Sequence, residues 1–275
     1  MIRVCIICVL GLLLASSARA QVSSDARSFL EQLERVGDDM ETIQGLLQYD
    51  RRFLLQGDRH VRRGTLAIRS FELDGVRRRE FEVRFDTLLL PMQGRMEEDV
   101  QVWAFNGMWL FEIRPNEKVY IARQLARLDQ PIDPLRLGEG PIPIPIGQRA
   151  EDVLSRYTAE IVEPTSGLEG LEGAEELTSF VHGSVQLRLT PLPMYIEDDD
   201  FREIRLWYDE QSLLPRMSIA ELQSGDISVV QLLQVRTNEP LDSDSLDLEP
   251  PSTLDGWQVH IEPLEDVEAS EAEVE

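Results

Sequence analysis

Cysteine is nearly absent from this chain of 275 residues, which contains only Cys5 and Cys8. Both lie within the first ten residues, so the rest of the sequence offers neither a disulfide nor a thiolate metal ligand. The three histidines stand far apart, without the spacing of a metal site. The fold must therefore be stabilised by a buried hydrophobic core, which the content of 42% hydrophobic residues permits.

Bases are scarce in the second half of the chain. Residues 1–137 contain 20 bases and 20 acids, whereas residues 138–275 contain 7 bases and 31 acids, and the net charge is -24. Such an acidic excess argues against nucleic-acid binding, because neutralising phosphates requires a basic surface. It also argues against electrostatic docking on anionic lipid. We therefore expect no nucleic-acid partner.

The chain lacks an apolar run long enough for a comfortable membrane span. The longest run, Val4–Ala15, follows Arg3 and precedes the small residues of Ala18-Arg19-Ala20. This pattern predicts a secretory signal peptide over residues 1–20, cleaved before Gln21, and a periplasmic mature protein. An uncleaved anchor is the alternative. No convincing lipobox precedes either cysteine, so we do not expect the protein itself to be a lipoprotein.

After the signal peptide, the hydrophobic period predicts one helix followed by many strands. Phe29, Leu30, Leu33 and Val36 recur at helical spacing over residues 24–39, with Ser24 as N-cap. Thereafter the period is two, with turn residues between the runs. The predicted strands cover residues 42–55, 60–70, 80–87, 99–105, 108–113, 118–122, 179–192, 201–209, 215–222, 227–235 and 256–261.

Three other segments interrupt this pattern. Residues 130–148 contain the run Pro141–Ile146, which alternates proline with isoleucine; this excludes a central strand but leaves apolar side chains to pack. Residues 149–157 predict a short helix, and Thr165–Glu176 is rich in glycine and glutamate and predicts a flexible insertion. Residues 262–275 predict a disordered acidic tail.

The strand pattern predicts a mainly β fold with some helix. We expect one curled antiparallel sheet of about ten or eleven strands, an unclosed barrel, covered by the N-terminal helix and a short lid helix. The expected organisation is a signal peptide over residues 1–20, a single domain over residues 21–261 and the tail over residues 262–275.

Catalytic motifs are missing. The sequence contains no GxSxG elbow, no HExxH motif and no phosphate-binding loop. Glu197-Asp198-Asp199-Asp200 offers oxygens for calcium but lacks the spaced ligands of a calcium loop, so a solvated hairpin is favoured. We therefore expect no enzyme activity, no catalytic residue, no metal and no cofactor. What remains is apolar surface on adjacent strands, which could be ordinary core or the lining of a lipid cavity.

Several segments resemble the LolA-like outer-membrane lipoprotein carriers. These are the first helix, the strand Gly64-Thr65-Leu66-Ala67-Ile68-Arg69, and the hairpin from Val102 to Glu112 with its Asn106-Gly107 turn. The resemblance covers residues 26–120 well and the later strands only by their order. It implies an unclosed barrel with a helical lid, and a periplasmic chaperone that carries acylated lipoproteins. In the family an arginine before a proline contacts the lid; Arg69 is its nearest counterpart here, but Ser70 follows it.

From these observations we predict a periplasmic carrier that binds the acyl chains of lipoproteins, or lipids, for transfer towards the outer membrane. It would act as a monomer between an inner-membrane donor and an outer-membrane acceptor. The alternatives are a periplasmic sensor or interaction protein on the same scaffold, and a secreted enzyme of unknown type. The predicted cavity lining is Leu30, Leu33, Leu47, Tyr49, Leu66, Ile68, Phe81, Val83, Phe85, Trp109, Phe111, Ile142 and Ile144, with Arg69 as lid contact.

Overall fold

The structure is a computed structural model that describes residues 25–73, 75–127, 132, 137, 146–197, 199–241 and 255–264. Several sequence predictions lie outside these residues. They are the signal peptide, the N-cap Ser24, the predicted lining residues Ile142 and Ile144, and the acidic tail beyond residue 264. No described helix combines the length and the apolarity of a membrane span.

The described residues contain three α-helices and twelve strands. Helix α1 covers residues 25–38. The other helices are α2 (Ala150–Arg156) and α3 (Ala174–Phe180), and a 3-10 turn covers Pro91–Gln93. The strands are β1 (Thr42–Phe53), β2 (Asp58–Leu73), β3 (Val76–Leu90), β4 (Arg95–Phe105), β5 (Trp109–Arg114), β6 (Val119–Gln124), β7 (Tyr157–Val162), β8 (Ser184–Pro191), β9 (Phe201–Asp209), β10 (Pro215–Leu222), β11 (Ile227–Thr237) and β12 (Gln258–Glu262).

All twelve strands belong to one sheet whose two ends do not meet. The strand order is β12-β6-β5-β4-β3-β2-β1-β11-β10-β9-β8-β7, and the helices flank the sheet. The predicted fold class, a mainly β unclosed sheet with flanking helices, is confirmed. One pairing departs from the prediction: β12 runs parallel to β6, with Val259 opposite Tyr120. β12 also reaches Glu262, the first residue of the predicted tail.

The chain folds as two compact units, each containing part of the sheet. The first unit comprises the described residues within 25–39, 52–57 and 146–231, and the second comprises the described residues within 40–51, 58–137 and 232–264. In the first unit, Phe29 of α1 packs edge to face on Tyr208 of β9, with ring centroids 5.8 Å apart. Burial raises the pKa of Tyr208, so this hydroxyl stays neutral within the core.

The prediction of a flexible insertion over Thr165–Glu176 is wrong. Its glycines adopt left-handed turns that allow Leu168 to point inward, where it is only 1% exposed. The indole of Trp207 donates a hydrogen bond of 2.7 Å to the Pro164 carbonyl and holds the start of the segment on the sheet. The segment and α3 thus cover one face of the sheet in the first unit. The buried side chains in this region form one hydrophobic cluster, which consists of Leu168, Leu177, Val181, Trp207, Met217, Ile219 and Val229.

In the second unit, strands β2 and β3 come unusually close at Gly64. The pairing shifts register between Arg63 and Gly64. A Cβ atom on Gly64 would lie only 1.8 Å from the carbonyl oxygen of Arg84. Only glycine fits this approach, which explains why a glycine lies within β2, two residues before Leu66.

Candidate functional site

One apolar surface crosses four neighbouring strands of the second unit. The register places Leu66 opposite Val83 and Ile68 opposite Phe81, so these side chains share one face of the β2–β3 pair. On the next strand, Phe105 lies opposite Phe81, and Trp103 lies opposite Val83. We call this surface the aromatic face. It consists of Leu47, Tyr49, Leu66, Ile68, Phe81, Val83, Phe85, Trp103 and Phe105.

Ring contacts tie the aromatic face together. Tyr49 of β1 stacks on Phe85 at a centroid distance of 6.1 Å, and Trp103 meets Phe85 edge to face at 5.7 Å. Phe81 stacks on Phe105 at 6.3 Å. Such pairs add roughly 0.5–1.5 kcal/mol each beyond the area that they bury. The result is a preformed apolar surface with no charged side chain among its nine members.

Burial is nearly complete over most of this face. Trp103 is half-buried, and each of the other eight residues is at most 6% exposed. The surface is therefore covered in this conformation, and an apolar ligand could reach it only if whatever covers it moved aside.

Trp103 and Phe105 are the residues that the sequence prediction missed. They alternate with Val102 and Ala104 on β4. In the observed strand register, Trp103 and Phe105 lie on the same face of the sheet as Phe81 and Phe85. The signal was present in the sequence as two aromatics at a spacing of two, next to a hairpin turn.

Trp109 and Phe111 lie on the opposite face of the sheet. Phe105 pairs with Leu110 and Ala104 pairs with Phe111, so the odd-numbered residues of β5 share a face with the even-numbered residues of β4. Phe111 packs on Tyr120 at a centroid distance of 6.0 Å, and burial raises the pKa of that tyrosine. This second cluster contains Val102, Ala104, Phe111, Tyr120 and Ala122, with Trp109, Ile113, Trp257 and Val259 packed against it.

The remaining predicted lining residues divide between the two units. Leu47 and Tyr49 lie on the aromatic face, whereas Leu30 and Leu33 are buried in α1 of the first unit. Ile142 and Ile144 are outside the described residues.

Arg69 projects from β2 on the side opposite to Leu66 and Ile68. Its guanidinium forms an ion pair with Glu80, the residue directly across from it on β3. About half of the arginine side chain is exposed, whereas Glu80 is mostly buried. Arg69 therefore makes a cross-strand ion pair, which offsets part of the free-energy cost of burying the Glu80 carboxylate.

An open pocket of about 500 Å³ lies in the second unit. Leu46, Leu233 and Leu47, which also belongs to the aromatic face, contribute its apolar part, and Gln48, Arg63 and Asp86 contribute polar groups. The Nε–H of Arg63 donates a hydrogen bond of 2.9 Å to Oε1 of Gln48. A lining with charges of both signs suits an acyl chain less well than the aromatic face does.

The acidic run at residues 197–200 serves the fold. Asp198 lies outside the described residues, but the Asp199 side chain is only 1% exposed. Tyr157 donates its hydroxyl to one carboxylate oxygen at 2.8 Å, and the Phe201 backbone N–H donates to the other at 2.9 Å. The expectation of a wholly solvated hairpin is therefore wrong for Asp199. Among the described residues, no group of three or more candidate metal ligands comes together.

No protein-family model and no curated protein matches the chain. Solved structures that resemble it include a LolA superfamily protein from Nitrosomonas europaea, with 13% identity, a TM-score of 0.29, and coverage of 79% of this chain and 95% of that one. LprF from Mycobacterium bovis has 9% identity, a TM-score of 0.36, and coverage of 80% and 96%. MucB in complex with MucA, from Pseudomonas aeruginosa, has 21% identity, a TM-score of 0.37, and coverage of 82% and 61%.

A LolA superfamily protein is thus among the solved structures that resemble this chain.

Proposed function

We propose that this protein is a periplasmic carrier that binds the acyl chain of a lipoprotein, or of a lipid, against the aromatic face. The observation that carries the proposal is the aromatic face itself, where nine apolar side chains lie on four adjacent strands and the five aromatic ones among them make ring contacts. Its nine members include no carboxylate, histidine, thiol or amine, and the one hydroxyl is that of Tyr49, so the site favours binding over catalysis.

The energetics suit a carrier. Burying an acyl chain contributes ~0.8 kcal/mol per methylene, so one long chain is worth on the order of 10 kcal/mol. A soluble carrier has to supply a comparable apolar surface, because a weaker site could not extract the chain and a stronger one could not release it. Since the aromatic face is covered in this conformation, binding would exchange internal packing for ligand contact, which moderates the net affinity.

In this proposal the lining residues are Leu47, Tyr49, Leu66, Ile68, Phe81, Val83 and Phe85, together with Trp103 and Phe105. Trp109 and Phe111 are left out because they point to the other face. Leu30 and Leu33 of α1, and Ile142 and Ile144, stay predictions from the sequence. The carrier would be exported by its signal peptide, act as a monomer and transfer cargo from an inner-membrane donor towards an outer-membrane acceptor.

The proposal is tested by isolating the exported chain without detergent and analysing an organic extract by mass spectrometry. We expect a co-purifying lipid or acylated peptide. A fluorescent fatty acid should also bind to the delipidated protein and be displaced by unlabelled fatty acid. Absence of both bound lipid and competition would rule out the carrier function.

One feature favours the second candidate, a periplasmic interaction protein. Among the described strands, β7 ends the sheet and pairs with β8 alone, so it presents a strand edge that an extended peptide could join. Capture of a membrane regulator by the exported chain, in place of lipoproteins, would support this candidate.

A further inference from the structure

Three loops of the first unit meet at one end of the sheet. They are the β1–β2 turn, the β10–β11 turn and the β8–β9 loop. The Leu54 backbone N–H donates a hydrogen bond of 2.9 Å to the Asp226 carboxylate, which joins the first two loops. The Gln223 side chain donates to the Ile196 carbonyl at 3.3 Å, which joins the second and third. The loops therefore form one connected surface.

The tips of these loops expose large apolar side chains. Leu54 is 68% exposed, Leu55 85%, Met194 72% and Ile196 48%. We call these four residues the apolar rim. Their exposure is unusual because leucine, isoleucine and methionine are among the side chains most often buried, and here four of them lie on loops tied together by hydrogen bonds.

We propose that the apolar rim docks the protein on a lipid bilayer, by inserting into the boundary between headgroups and acyl chains. Single apolar side chains on convex turns suit a fluid interface, whereas a protein partner would have to supply a separate pocket for each tip. This inference rests on the proposed function, because a carrier of acyl chains must exchange them with membrane-bound donors or acceptors.

The chain path supports this choice of partner. β1 carries Leu47 and Tyr49 of the aromatic face, ends at Phe53, and leads directly into Leu54 and Leu55. One continuous strand thus connects the proposed acyl site to the most exposed part of the rim.

The charges around the rim define the kind of bilayer. The Asp226 carboxylate lies at the joint between two of the loops, Glu197 and Asp200 lie on the third, and Arg51 and Arg52 precede Leu54 at the end of β1. With a net charge of -24 on the whole chain, an anionic surface would repel the protein. The docking we propose therefore depends on apolar insertion and is strongest on an electrically neutral bilayer.

The test uses flotation of the exported chain with phosphatidylcholine vesicles. The paired variants L54S/L55S and M194S/I196S remove apolar surface from two of the loops without changing charge. The matched control is I261S/L264S, which removes similar residues that are 59% and 39% exposed in and after β12. We expect roughly tenfold weaker vesicle binding for at least one rim pair and unchanged binding for the control.

A second measurement reports insertion directly. The exported chain is predicted to lack cysteine, so L55C provides a unique site for an environment-sensitive fluorophore. Blue-shifted emission on addition of phosphatidylcholine vesicles, and a smaller shift with added phosphatidylglycerol, are the expected results.

Three outcomes would overturn the proposal. The first is that the native chain does not float with neutral vesicles. The second is that both rim pairs bind like the native chain, or that the control weakens as much as they do. The third is a dimer, seen by sedimentation, that the rim variants dissociate, since a second copy would then be the partner. Fatty-acid binding measured without vesicles separates the two proposals. The rim variants should still bind fatty acid. If the native chain does not bind fatty acid, the carrier function alone is rejected.

Discussion

Phe85 and Trp103 meet edge to face across the β3–β4 pair, with ring centroids 5.7 Å apart. Tyr49 approaches the same indole at 6.4 Å from β1. Trp103 is the half-buried member of the aromatic face, so its side chain is the most solvent-accessible part of that face.

The first prediction uses two tryptophans of one hairpin. Trp103 and Trp109 are both half-buried but lie on opposite faces of the sheet. W103A should lower the affinity for a fluorescent fatty acid by about tenfold, because the ligand loses an aromatic contact. W109A is the matched control and should bind as the native chain does. Equal losses in both variants would show that the aromatic face is not the binding surface.

The second prediction concerns the close approach of β2 and β3. G64A should lower the free energy of unfolding by about 2 kcal/mol or more, because the new methyl group would overlap the Arg84 carbonyl and separate the strands. The midpoint of urea unfolding measures this change. T65A, at the exposed neighbouring position, should have little effect, and a G64A variant as stable as T65A would contradict the close approach.

The third prediction concerns pH. Hydrogen bonds from the Ser212 backbone and hydroxyl hold the pKa of Asp209 below its ordinary value, with a smaller contribution from Arg216 at 4.0 Å. A carboxylate whose pKa is lowered by folding stabilises the protein above its unfolded pKa, and loses that contribution as the pH falls through the folded pKa. S212A should raise the pKa of Asp209, measured by NMR titration, more than R216Q does. The effect on stability should be small because the carboxylate is solvent-exposed.

The fourth prediction concerns the acidic C-terminus. Deleting residues 265–275 should leave fatty-acid binding unchanged, because the segment lies beyond β12 in the chain. The deletion begins after Leu264, since Glu262 forms an ion pair of 2.7 Å with Arg123 and the Leu264 N–H reaches Gln124. Weaker binding in the shortened chain would place the tail at the acyl site.

Much of the fold could be predicted from the sequence because its signals are local. The alternation of Phe81, Val83 and Phe85 with polar residues predicts one strand with one buried face, and this prediction does not depend on which strands lie beside it. The helical spacing of Phe29, Leu30 and Leu33 reports α1 in the same way. These periods, with the turn residues between them, suffice for a mainly β chain with one large open sheet.

The insertion over residues 165–176 shows where local signals fail. Its glycine and glutamate content is typical of a solvated loop, yet Leu168 and Trp207 place it against the sheet. One buried leucine and one indole hydrogen bond hold the segment on the sheet, and neither produces a periodic hydrophobic pattern in the sequence. The parallel pairing of β12 with β6 is likewise a contact between strands distant in sequence.

The sequence by itself determined most of the strands but not β7 (Tyr157–Val162), together with the acidic second half, the lack of cysteine beyond Cys8 and the lack of catalytic motifs. Only the tertiary structure decided which aromatic residues share a face. Trp103 joins Phe85, and Trp109 does not, because the hairpin register pairs odd positions on β4 with even positions on β5. Register depends on hydrogen bonds between strands, and a shift of one residue exchanges the two faces of the sheet.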